Sequence, residues 1–91
     1  MDQALAYKDF LHYVLEGLVK YPEDVSCRIT NRTEEQVTYE ICVHPDDVGI
    51  VIGKNGFTMS AIRSLLGAAG KKHKLKAVIR LYAYGNPKRL A

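Results

Sequence analysis

Val51-Ile52-Gly53-Lys54-Asn55-Gly56 is the stretch on which the reading of the fold turns. Two glycines flank a lysine and an asparagine. An aliphatic run precedes them and a segment of helical periodicity follows. Glycine lacks a Cβ, so a second backbone can approach it closely, and φ > 0 is open to it. A lysine between two such residues sets a positive charge where that backbone would lie. A loop of this kind, opening onto a helix N-terminus, suits a phosphate.

On the far side of the loop, residues 57–69 carry an apolar stripe at helical spacing, Met59, Ile62, Leu66 and Ala69. A second, adjacent stripe is made by Phe57, Ala61, Leu65 and Ala68, so the apolar arc is wider than one sheet contact needs. Gly70 is the expected stop, with Lys71-Lys72-His73-Lys74 as a basic turn behind it. On the near side, Asp46 and Asp47 follow Pro45 and supply cap and first-turn residues. They predict a short helix up to Ile52, although Val48, Ile50, Val51 and Ile52 would also suit a strand.

Further out, residues 25–31 and 37–43 alternate with period two and are joined by the polar link Arg32–Gln36, which predicts an antiparallel hairpin. Residues 75–83 read as a third strand, with Leu75, Ala77, Ile79, Leu81 and Ala83 on one face. Residues 4–20 read as an amphipathic helix through Tyr7, Leu11, Val14, Leu15 and Leu18, with Phe10 beside them, stopped by Tyr21-Pro22. The order is α-β-β-α-α-β. It predicts one α+β domain over residues 1–91, with helices on one face of a three-stranded sheet. The two helices between the second and third strands form a crossover, so those strands should be parallel and the sheet mixed. Residues 85–91 form a short basic tail.

The charge is split along the chain. All ten acidic residues lie at or before Asp47. From Val48 onward there are only cations: Lys54, Arg63, Lys71, Lys72, Lys74, Lys76, Arg80, Lys88 and Arg89. The net +3 thus covers a strongly basic second half. Lysines on solvated faces would account for part of it, but a one-signed field draws polyanions.

Ninety-one residues with 47% apolar content make one small globular domain, too small for a deep enzyme cleft. No run approaches the roughly 20 apolar residues that span a bilayer. Met1-Asp2-Gln3 lacks the basic start of a signal peptide, which makes the cytoplasm the expected location. Cys27 and Cys42 fall on opposite faces of adjacent strands, so no disulfide is expected. With His12, His44 and His73 they form no metal-ligand spacing. No catalytic constellation is identifiable, and Asp46-Asp47, the carboxylate pair near the loop, is explained by helix capping. A phosphate-binding P-loop needs four residues between its first glycine and the Gly-Lys pair, whereas Gly49 and Gly53 enclose three. The dinucleotide fingerprint fails on spacing as well.

The element order with Ile52-Gly53-Lys54-Asn55-Gly56 between the middle helices resembles a type II KH domain, over almost the whole chain. It is most similar to the small single-domain bacterial KH proteins of the KhpA family. Pro45-Asp46-Asp47-Val48-Gly49 before the loop and Ala61-Ile62-Arg63 after it carry the likeness. Phe57 and Met59 depart mildly from the pattern. The resemblance implies a cytoplasmic single-stranded RNA binder with chaperone-like activity. It also implies homodimers, and complexes with a larger RNA-binding partner, KhpB. No catalysis, cofactor or metal is implied.

Carried over by motif, Gly53, Lys54, Asn55 and Gly56 are the clamp on the nucleic-acid backbone, with about four nucleotides read. Gly49, Ile50 and Ile52 are groove-wall residues, with core packing as the other reading for the two isoleucines. Phe57 either stacks on a base or packs at the helix start. Arg63 stands close by, as an RNA contact or beside a dimer surface. The second stripe is expected either to contribute to a dimer or heteromer, or to lie under the N-terminal helix. A KH-fold interaction module without RNA binding is the alternative function, and the intact loop argues against it.

Overall fold

The computed structural model describes residues 2–91. Helix α1 spans Gln3–Leu18 and buries Ala4, Tyr7, Leu11 and Leu15, spaced to keep one face inward. The Asp2 carboxylate caps it, accepting the Ala4 N–H at 3.0 Å. The helix ends two residues short of the expected Lys20. Val19 is already extended, because the N–H groups of Lys20 and Tyr21 are taken by the Asp47 carboxylate, at 3.0 and 3.1 Å.

Strands β1 (Ser26–Arg32) and β2 (Gln36–Val43) pair antiparallel, and β3 (Lys76–Ala83) pairs parallel with β2, in the order β1-β2-β3. The mixed sheet and the parallel second pairing are as the crossover requires. The β1–β2 register shifts between Ile29 and Asn31, a bulge that bends the edge strand. Helices α1, α2 (Val48–Ile52) and α3 (Phe57–His73) cover one face. Beneath them Val37, Tyr39, Ile41 and Val43 are fully buried, each contributing about 1.5–3 kcal/mol of apolar burial. The Tyr39 hydroxyl donates to the Ala4 carbonyl and ties α1 to the middle strand. Cys27 pairs with Ile41 and is buried, whereas Cys42 pairs with Ser26 and lies half-buried on the other face. Both are free thiols. Burial pushes the Cys27 thiol up to about 11.

Two expectations are corrected. Helix α3 does not stop at Gly70 but runs on to His73, and Lys74 closes it in the left-handed region at φ 55°. Gly70 is there for close approach: a Cβ would run into the Leu75 carbonyl oxygen. Lys71, Lys72 and His73 therefore form the last helical turn rather than a basic turn, and the two lysine charges face the negative end of the helix dipole. Residues 85–91 do not hang free. The Asn86 N–H closes a turn onto the Ala83 carbonyl, and the chain returns along the outer edge of β3. There Leu90 N–H donates to Leu81 C=O at 2.7 Å, and Leu81 N–H donates to Ala91 C=O at 3.0 Å.

Candidate nucleic-acid interface

Helix α2 is anchored by the fully buried Val51. It ends where the Gly53 N–H bonds back to the Gly49 carbonyl at 2.9 Å. Gly53 then takes φ 82°, ψ 167°, a region open only to glycine. Space forbids a side chain there too: a Cβ would stand 2.7 Å from the Thr58 backbone nitrogen. A single tight turn, Lys54–Gly56, follows, closed by Gly56 N–H to Gly53 C=O at 3.0 Å. Asn55 (φ 55°) and Gly56 (φ 76°) are also left-handed. Asparagine tolerates that conformation better than most residues. Three positive-φ residues in four thus turn the chain out of α2 and directly into α3.

This geometry leaves the Lys54 and Asn55 side chains exposed, with no hydrogen-bond or ion-pair partner among the described residues. No side chain caps α3, so its first-turn N–H groups are not taken by a cap. Gly49 is exposed and Ile50 is 47% exposed, while Ile52 is half-buried against the core. Of the two isoleucines, then, Ile50 is open and Ile52 packs. Phe57 is 70% exposed, which removes the packing reading and leaves its ring at the loop's edge.

Arg63 is not part of the loop cluster. Its guanidinium donates to the Ile79 carbonyl at 3.2 Å, on the outer edge of β3. Helix α3 runs opposite to β3, since Gly70 lies against Leu75 at one end and Arg63 against Ile79 further along. From Ile79 to Leu81 is about 7 Å along the strand, which four to five helical residues also cover. Leu81 therefore lies beyond Ile79 in the direction of the first turn of α3. The loop and the start of α3 thus lie on the Leu81 side of the Arg63–Ile79 bond, facing the outer edge of β3.

Electrostatics separate this region from the rest. Arg32 forks onto Asp2 at 2.7 and 2.8 Å, and Arg28 meets Glu40 at 2.9 Å. None of the cations after Val48 has an ion-pair partner among the described residues. Asp47 does not cap α2, contrary to expectation. It is 1% exposed and its carboxylate is committed to the Lys20 and Tyr21 N–H groups. His44 caps the Pro45–Asp47 turn ahead of α2, accepting the Asp46 N–H through Nδ1 at 3.0 Å. The ring of Tyr21 stacks on His44 at 4.1 Å, which locks the α1–β1 connection beside α2. Sequence reasoning missed this, because an aspartate before a helix looks the same whether it caps locally or reaches across the fold.

Among the described residues no group of three His, Cys, Asp or Glu side chains is placed to hold a metal. Among the same described residues no helix is long and apolar enough to cross a membrane. The second stripe of α3 is open: Leu65 is 59% exposed and Ala61 and Ala68 are exposed, so α1 does not cover it. An apolar groove of about 320 Å³ runs between α1 and α3, lined by Tyr7, Phe10, Leu65, Leu66 and Ala69.

Comparison with known proteins adds to this geometry. A family model described as the KhpA/KhpB KH domain matches residues 8–81. The RNA-binding protein KhpA of Oceanobacillus iheyensis is 45% identical over 64 residues, covering 68% of this chain and 81% of that protein. That of Chlamydia caviae is 36% identical over 74 residues, covering 81% and 94%. That of Streptomyces coelicolor is 41% identical over 63 residues, covering 69% and 78%. No solved structure gives a significant match.

Proposed function

Since the chain belongs to the KhpA/KhpB family of KH domains, we propose that it binds single-stranded RNA in the cleft between the Gly53–Gly56 loop and β3. The observation that carries this reading is the loop itself. It holds Lys54 and Asn55 out, unpartnered, at the uncapped start of α3, in a half of the chain with no carboxylate. Lys54 meets a phosphate as a charge, and Asn55 offers a hydrogen bond beside it. Gly53, Gly56 and Gly49 let the RNA backbone lie close. Ile50 supplies apolar wall and Phe57 a ring for stacking, while Ile52 supports the wall from behind. Arg63 braces the strand opposite.

One shallow cleft gives modest affinity and loose sequence preference, as suits a small RNA chaperone in bacterial post-transcriptional regulation. The unpaired thiols Cys27 and Cys42 fit the reducing cytoplasm. Assembly raises affinity through effective concentration. The open stripe Phe57, Ala61, Leu65 and Ala68 is the surface we assign to a homodimer or to a KhpB-like RNA-binding partner. The same stripe favours the second reading, an interaction module acting through that partner.

The test is Lys54→Asp with Asn55→Asp. Both side chains are exposed, so the fold should persist by circular dichroism. Single-strand affinity should fall tenfold to a hundredfold, about 1.4–3 kcal/mol. Duplex of the same sequence should compete poorly, because its bases cannot be splayed into the cleft. A folded double variant with wild-type affinity would leave the interaction module as the better reading. For assembly, Leu65→Asp should lower the oligomer fraction in sedimentation while leaving the fold intact. An unchanged fraction removes this face from the interface.

A further inference from the structure

The outer edge of β3 is where the chain covers itself. Strand neighbours send their N–H and C=O groups to alternate sides. Lys76 and Tyr84 point inward, donating to Glu35 and Val43. Ala77, Ile79, Leu81 and Ala83 therefore point outward, toward the proposed RNA cleft. The Ile79 carbonyl is taken by Arg63 and the Ala83 carbonyl by Asn86. At Leu81 both groups are taken, by Leu90 N–H and Ala91 C=O. Leu81 also lies toward the loop end of α3.

An outward N–H and C=O on one residue is a donor and acceptor pair of the kind a single-stranded base edge engages. The segment that holds it is open along its stem, with only Ala91 packed against the core. Leu90 is 39% exposed and Lys88 and Arg89 are exposed, with no ion pair among the described residues. Lys88 N–H is occupied only by the Asn86 side chain, at 2.9 Å. The family match ends at Leu81, so this segment lies outside it.

We propose that residues 88–91 are a displaceable strap: they occupy the Leu81 backbone pair until single-stranded RNA enters the cleft, when a base takes their place. This rests on the RNA-binding reading above. The strap lowers affinity in the free protein and so discriminates against ligands that offer only phosphates. Released, it carries Lys88 and Arg89 alongside the bound strand.

Leu90→Pro tests the strap, because proline removes the N–H that holds Leu81 while every charge stays. Leu90→Ala keeps that N–H and serves as the control. With short oligo(A), oligo(C) and oligo(U) as probes, Leu90→Pro should bind the best of the three about fivefold more tightly, the weight of one net backbone hydrogen bond. Leu90→Ala should stay near wild type. In the wild-type protein, adding the same oligonucleotide should speed amide exchange at Leu90 while Leu81 stays protected. Equal or weaker binding by Leu90→Pro, or a Leu90 amide indifferent to the oligonucleotide, overturns the strap. If Lys54→Asp/Asn55→Asp still weakens binding tenfold or more in that case, the cleft reading survives the strap's failure. If that double variant binds normally, both fall.

Discussion

The two halves of the chain hold their shape by different means. Up to Asp47, side chains do it across the fold: Asp2 with Arg32, Glu40 with Arg28, Asp47 with the Lys20 and Tyr21 amides, Tyr39 with the Ala4 carbonyl. After Val48, backbone geometry does it. Gly53, Asn55, Gly56 and Lys74 sit at positive φ, Gly70 is wedged under Leu75, and Arg63 is the one cation bonded by its side chain, to a carbonyl. The difference teaches how a small domain keeps charge available. In the first half, Arg28 and Arg32 and their carboxylate partners neutralise one another. In the second half, Arg63 apart, the shape is set without drawing on side-chain charge, so the other cations stay free for a polyanion.

The contrast breaks most easily at Gly53. Gly53→Ala should cost about 3 kcal/mol in urea unfolding, from a forbidden φ/ψ region and collision with Thr58. Gly56→Ala should cost about 1 kcal/mol, since open space surrounds that position and only the left-handed backbone resists. Equal losses would mean that the loop is held by something other than its backbone. Next, Asp47→Ala should cost about 2 kcal/mol by stripping the acceptor from two amides, and Asp47→Asn less. Because Asp47 holds the α1–β1 connection and not α2, RNA binding by a folded Asp47→Asn should be unaffected.

The charges sharpen the contrast further. Lys71→Gln with Lys72→Gln should lower the urea midpoint only slightly, losing about 0.3–1 kcal/mol of helix-dipole interaction per lysine. Its affinity should depend on salt less steeply, by a slope of up to about 1.4 if both lysines meet phosphates. Arg28→Ala should leave the salt slope unchanged. The smallest effect is at Asp2. The Arg32 hydrogen bonds hold its carboxyl below the ordinary 3.8. As pH falls through that range the unfolded chain takes up its proton first, so the pair's small contribution is present at neutral pH and lost in acid. Arg32→Ala should flatten that acid dependence without altering RNA affinity at pH 7.

Much of the fold was legible because its signals are local. Period-two runs marked the hairpin, the crossover length forced the parallel pairing, and Gly-Lys-Asn-Gly after an aliphatic run marked the loop. Where the sequence misled, a residue's partner was remote or its conformation unspecified. Gly70 looked like a helix stop because a glycine wanted for close packing and one wanted for a left-handed cap are the same letter. Asp47 looked like a cap because nothing nearby announces that Lys20 and Tyr21 will arrive beside it. Phe57 was ambiguous because a helix-start aromatic packs or projects according to how the preceding glycines turn. The return of residues 90–91 onto Leu81 rests on backbone groups that every residue has, so no pattern of side chains could mark it.

The parallel pairing of β2 with β3 carries a consequence for synthesis. Gln36 pairs with Lys76 and Val43 with Ala83, so the whole segment bearing α2, the loop and α3 lies inside a single chain closure. The β1–β2 hairpin closes over a short link, whereas β3 can dock only after a long excursion whose entropy cost comes first. Pulse-labelled refolding should therefore protect β1 and β2 amides before those of Leu81 and Gly56. On the ribosome, a chain that has emerged only through α3 already contains every residue of the loop but has no opposing strand edge, and under the proposed function should not yet hold RNA.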